Sequence, residues 1–214
     1  MVEYRTDVGA APAVRNLRLA GTPETAAPLV VGSYHLNYAS TTTRLAEAEW
    51  LTTWNDKWER RGNRRIRLPA LLGGDNNSYP EPGADVDPAL PVLEHIQDLP
   101  HRAHRSYQGP DSTRLMDTRP DNVLRTAGLE DVARYLAVRK GIGSAVTSTV
   151  DAYKTHGPQA RIDRIYASEQ LLPAVVDVEV VDMKGLSDHD TVLLRLDRDV
   201  LADILNNPIT QEAA

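Results

Sequence analysis

The chain has 214 residues with 41% hydrophobic and 25% charged side chains, so it suits one domain with a real core and is excluded from the disordered class. A formal net charge of −6 argues against a non-specific clamp on nucleic acid, which needs a basic face, yet leaves open an enzyme that meets phosphates through a carboxylate-held metal. The absence of cysteine excludes disulfides, thiolate zinc sites, iron–sulfur clusters and a cysteine nucleophile.

There is also no phenylalanine, so the core must rest on Leu, Val, Ile and Ala. No apolar run approaches the roughly 20 residues of a membrane span. Residues 1–5 are not followed by the apolar stretch of a signal peptide, and the expectation is a cytoplasmic protein.

Residues 14–19 alternate weakly and read as a strand, with turn residues at 20–28 and a hairpin to the segment that follows. Residues 29–35 form a short apolar run that reads as a buried strand ending at His35. Ser40 to Thr43 offer N-cap residues, and Leu45, Ala48, Leu51, Trp54 and Trp58 recur at helical spacing, which predicts a helix running to Arg61. Trp50, Trp54 and Trp58 then make one stripe, read as packing against the sheet or as an exposed partner surface. Residues 70–72 read as a second buried strand, so the order strand, helix, strand makes a βαβ-like unit with polar residues at the strand ends. Short helices are expected within 90–96 and 100–107, a better one over 126–136, and a loop over 139–158. Residues 161–167, 175–181 and 191–196 read as strands, and 200–214 as a short helix with a loose tail.

Four stretches carry candidate chemistry. Gly73-Gly74-Asp75-Asn76-Asn77 follows a buried strand directly. Asp75 and Asn77 lie two apart, so in an extended segment they point the same way and offer hard oxygen and amide groups to Mg²⁺ or phosphate; an Asx-type turn is the plainer reading. Asp163 sits inside an apolar strand, where a carboxylate needs a partner, either a structural arginine or an imidazole. His35 ends its strand as a polar cap or as a catalyst. Ser187-Asp188-His189 enters the last strand, and an Asp beside a His there can fix an imidazole tautomer for proton transfer. His95, His101 and His104 are read as a solvated polar face, with a metal site as the alternative.

The order His35, Gly-Asp75-x-Asn77, Ile-Asp163-x-Ile, Ser-Asp188-His189 resembles the endonuclease/exonuclease/phosphatase superfamily, with Asn76 where its G-D-F-N motif carries Phe. Arg44 and the helix after His35 also fit, and the likeness spans roughly residues 14–198. It implies a single α/β (α+β) domain over 1–214, a deoxyribonuclease-I-like two-sheet sandwich with outer helices. It implies a divalent-metal phosphoesterase, nuclease or phosphatase, acting on a phosphate-ester substrate with nucleic acid among the candidates. By that resemblance His189 is general base or oxyanion stabiliser, and Asp163 orients water or the histidine. Asp75 activates the attacking water or approaches the metal, Asn77 holds phosphate oxygen, and Asp188 helps hold metal or orients His35, which contacts phosphate. The cofactor implied is Mg²⁺ or Mn²⁺, with Asp188 and Asp75 as the ligands present.

The departure lies upstream. The family opens with a strand ending in Asn and a later Gln-Glu pair whose glutamate is a principal metal ligand. Only 34 residues precede His35, and neither Glu3, Glu24 nor Asn16 fits those places. The expectation is therefore a fold lacking its first strands, and the second reading is a weak or inactive remnant that acts as a binding module.

Overall fold

The computed structural model describes residues 11–82, 86–153 and 155–212. In chain order its elements are β1 (Ala13–Leu17), β2 (Leu29–His35), α1 (Thr41–Thr52), β3 (Trp58–Arg61), β4 (Arg64–Arg67), β5 (Ala70–Asp75), α2 (Leu99–His104), β6 (Ser106–Gln108) and β7 (Arg114–Met116). There follow α3 (Arg119–Thr126), β8 (Leu129–Asp131), α4 (Val132–Lys140), β9 (Asp163–Ser168), β10 (Val175–Val181), β11 (Thr191–Leu196), α5 (Arg198–Asn206) and β12 (Thr210–Glu212).

The central sheet has the order β1-β2-β5-β9-β8. The β1–β2 hairpin is antiparallel; β2 and β5 run parallel with α1 in the crossover; β9 then lies antiparallel between β5 and β8. Burial follows from the apolar runs: Val30, Ala70, Leu72, Tyr166 and Ala167 are fully enclosed. A separate antiparallel ribbon, β10–β11, packs Val175 and Val178 into the same core, so two sheets face one another across it. Helices α4 and α5 add Leu136, Leu201 and Leu205 to that core. Among the described residues no helix is long and apolar enough to cross a membrane.

Two buried devices fix the geometry around the ends of β2 and β5. Ser40 caps α1 by accepting from the Thr43 amide at 3.2 Å. One turn on, the buried Arg44 donates to Asp117 at 2.8 Å, to the carbonyls of Asn37 and Tyr38, and to His104 O. One guanidinium thereby ties the loop after β2 to the end of α2. Gly74 is the second device: a Cβ there would stand 1.8 Å from Tyr34 O, so only glycine lets β5 lie this close to β2.

Three expectations need correcting. The helix after Ser40 stops at Thr52 and gives way to a 3₁₀ turn and the β3–β4 hairpin, closed by Gly62 at φ +60°. Trp58 is therefore a strand residue, and the tryptophans do not form one stripe. The helix expected over 126–136 is two helices with β8 between them, because Gly128 at φ +79° ends the first turn of chain and Asp131 caps the second helix through the Ala133 and Arg134 amides. The tail is not loose up to residue 212: β12 pairs with β4, and Gln211 accepts from Arg65 at 2.7 Å.

Candidate active site

Strand register alone brings three candidate side chains abreast. In the parallel pair His35 lies opposite Asp75, and in the antiparallel pair Asp75 lies opposite Asp163. His35 Nε2 is 3.4 Å from Asp75 Oδ2, although the His35 side chain stays 63% exposed.

His189 arrives from the other sheet. The 182–190 loop turns at Gly185, φ +83°, and is held by Asp190 Oδ1 accepting from the Met183 amide and Ser187 Oγ accepting from the His189 amide, both at 3.0 Å. Thr149 stitches this loop to β9: its carbonyl accepts from Asp190 N, and its buried hydroxyl oxygen accepts from the Ile162 and Asp163 amides. The result is His189 Nδ1 at 2.9 Å from Asp163 Oδ2 and 3.2 Å from Oδ1. An ionised carboxylate only accepts, so Nδ1 carries the proton and Nε2 is left for a substrate.

The partner of Asp163 is thus an imidazole and not an arginine. Its neighbours Arg161 and Arg164 are buried and committed elsewhere. Arg161 pairs with Asp131 at 2.7 Å and Asp87 at 2.5 Å, while Arg164 donates to Tyr166 Oη at 2.8 Å and to Ser78 O at 2.9 Å. Tyr166 in turn donates to Asp121 at 2.6 Å. This network locks the 76–78 turn to β9. Arginines two residues before and one after Asp163 were visible in the sequence, but their partners come from distant segments.

The electrostatics match the contacts. The hydrogen bond to Asp163 holds the His189 imidazole above its ordinary pKa, against the opposing effect of burial. Burial, then the neighbouring Asp163, push the Asp75 carboxyl up; the Asn77 amide, Arg105 and His189 act the other way. Asp75, Asp163 and His189 each offer a donor atom, all within 4.8 Å of one another.

The remaining candidates are placed differently. Asn77 has φ +47°, so the segment is not extended: Asp75 Oδ1 accepts from the Asn77 amide at 2.6 Å as an Asx turn, and the buried Asn77 side chain donates to Leu36 O at 2.9 Å. Asn76, in the Phe position, is buried and bonded to Tyr34, Gly74 and Ile162. Asp188 is exposed and lies outside the group of three, though it shares a cavity with His189. That cavity, about 480 Å³, is also walled by Tyr79, His101, Arg105, Tyr153 and His156. His101 corrects the solvated-face reading. It is buried, stacks edge-on against His156 at 4.2 Å between centroids, and burial and Arg105 hold its pKa down at about 4.

No protein-family profile and no curated protein sequence matches the chain. Solved structures do. An AP endonuclease from Archaeoglobus fulgidus aligns with TM-score 0.51 and 19% identity over 79% of this chain and 62% of that one. The 3' phosphatase NExo from Neisseria, bound to a product DNA hairpin, aligns with TM-score 0.51 and 17% identity over 87% of this chain and 70% of that one. The chain therefore shares the deoxyribonuclease-I-like fold of these neighbours. The chain spans 62% of the length of the archaeal endonuclease.

Proposed function

We propose that this protein hydrolyses phosphate ester bonds, with a divalent cation, at the site formed by Asp75, Asp163 and His189. The observation that carries the reading is the convergence, from two strands and a loop, of an Asp-oriented imidazole with a second carboxylate. In the reaction, water attacks phosphorus and the ester P–O bond breaks. Asp75 orients the attacking water, whose proton passes to solvent. His189, whose protonated form the hydrogen bond to Asp163 favours, gives the Nε2 proton to the departing oxygen. Asp163 fixes the ring and the tautomer.

The residues present fit a divalent cation. Two carboxylates side by side, one with a raised pKa, are the arrangement whose repulsion a cation relieves, and an oxygen-rich set suits Mg²⁺ or Mn²⁺. Asp75 would hold it, beside Asp163; the exposed Asp188 lies outside this group. When bound, the ion would supply Lewis-acid stabilisation of the phosphoryl oxygens. The folds of a DNA-bound phosphatase and an AP endonuclease support nucleic acid as the first substrate to try.

The test is hydrolysis of bis-p-nitrophenyl phosphate and plasmid DNA with Mg²⁺ and Mn²⁺. His189→Ala should lower turnover by about 10²–10⁴-fold, the usual worth of a positioned acid or base. Turnover equal to wild type would overturn the reading. The group of three contains no glutamate, which favours the binding-module alternative if no activity and no metal binding are found.

A further inference from the structure

Arg105 follows α2, and its side chain is unlike the other buried arginines among the described residues. Arg44, Arg134 and Arg161 each sit against a carboxylate, and Arg164 is bonded to Tyr166, Ser78 and Arg161. Arg105 is 7% exposed, yet among the described residues no carboxylate oxygen lies within 4 Å of it. Among the described residues its one side-chain hydrogen bond is from Nε to His101 Nε2, at 3.4 Å, and Nη1 is closed off from solvent with no partner there. Beneath it the Tyr38 ring lies 5.9 Å away, a weak substitute for an anion.

A buried cation without a counter-charge is unfavourable, and a fold keeps one where a ligand supplies the charge. Arg105 belongs to the wall of the cavity that also holds His189 and Asp188, with Lys184 on the same wall. Its charge is felt at Asp75, which it stabilises in the ionised form, but among the described residues no ion pair joins them. The carboxylates of Asp151, Asp188 and Asp190 line other parts of the cavity; Asp190 is already bonded to the Met183 amide. His101 must accept from Arg105, so its ring is neutral with the proton on Nδ1 towards Tyr38 Oη at 3.2 Å, and it adds no competing positive charge.

We propose that Arg105 is an anion-binding residue whose guanidinium takes a non-bridging phosphate oxygen in the cavity beside His189. Planar, paired donors on a weakly hydrated cation are the geometry that phosphate oxygens match. The phosphate belongs either to the ester substrate or to the released phosphate product. The inference rests on the phosphoesterase reading for its biological meaning, but its test does not need turnover.

Inorganic phosphate is titrated calorimetrically into wild-type protein, Arg105→Met, Arg105→Lys and His189→Ala. Binding should weaken at least about tenfold in Arg105→Met, recover partly in Arg105→Lys and persist in His189→Ala. Because Arg105 has no acidic partner to orphan, Arg105→Met should melt no lower than wild type. If that variant does not fold, the comparison of Arg105→Lys with wild type carries the test, since it keeps the charge and removes the paired donors. Unchanged affinity in the folded Arg105 variants, or no phosphate binding by wild type, overturns the proposal. A parallel measurement separates the two sources. If the ester is the ligand, KM for bis-p-nitrophenyl phosphate rises in Arg105→Met. If the product is the ligand, KM holds and inhibition by phosphate is lost. Phosphate binding with no hydrolysis by any form would sink the phosphoesterase reading and leave this one standing.

Discussion

At the scale of single residues the chemistry depends on which proton sits where, and Asp163 decides it. By holding the His189 imidazole above its ordinary pKa, Asp163 keeps the ring charged to a higher pH. If His189 donates the proton to the leaving group, activity falls as pH rises through that raised pKa. Asp163→Asn should move this basic limb to lower pH, and pH–rate profiles of kcat for the two proteins measure it. Stability is linked with the same sign. The contribution of the His189–Asp163 pair is fully present below the unfolded histidine pKa and is lost as pH rises through the folded one. Asp75 behaves as an acid with a raised pKa: its contribution is present at low pH and lost as pH rises through the folded value. Asp75→Asn should therefore raise the melting temperature near neutrality, with the gain vanishing in acid; melting curves against pH test this.

At the scale of elements the site is a product of register. Gly74 allows β5 to lie against β2, and the parallel and antiparallel ladders on either side of β5 then align His35, Asp75 and Asp163. Gly74→Ala would drive a methyl into Tyr34 O and should cost about 3 kcal/mol, read by urea denaturation, with loss of activity in the protein that remains folded. The strands that carry His35 and Asp75 were legible because each is a short apolar run with a polar residue at or just beyond its end, whereas Asp163, read inside its strand, is the first residue of β9. What was not legible came from long-range partners. Trp58 obeys helical spacing, yet the Arg64–Arg67 strand and the distant β12 draw it into a sheet. Gly128 breaks a periodic stretch that looks continuous by composition. Arg105 carried no signal at all, because its meaning lies in the carboxylate that is not beside it.

At the scale of the whole molecule the site is divided between two sheets. Asp75 and Asp163 belong to the five-stranded sheet, while His189 sits at the entrance to the two-stranded ribbon. A cation held by Asp75 should therefore do more than neutralise charge. Mn²⁺ should raise the melting temperature of the wild-type protein by binding only the folded state, and should fail to do so in Asp75→Asn. A melt with and without excess chelator checks both arms.

The ribbon itself has a further consequence. Among the described residues β10 pairs only with β11, its outer surface bears the solvated Arg195–Asp177–Glu179 ion pairs, and Val176 and Leu193 lie open beside them. Two strands without flanking neighbours have few constraints against fraying. Since His189 leads into this ribbon while Asp163 and Thr149 hold it to the larger sheet, fraying of the ribbon would strain that link: any proposed turnover should decline on warming at temperatures where the far-ultraviolet dichroism of the larger sheet is still intact, and cooling should restore it.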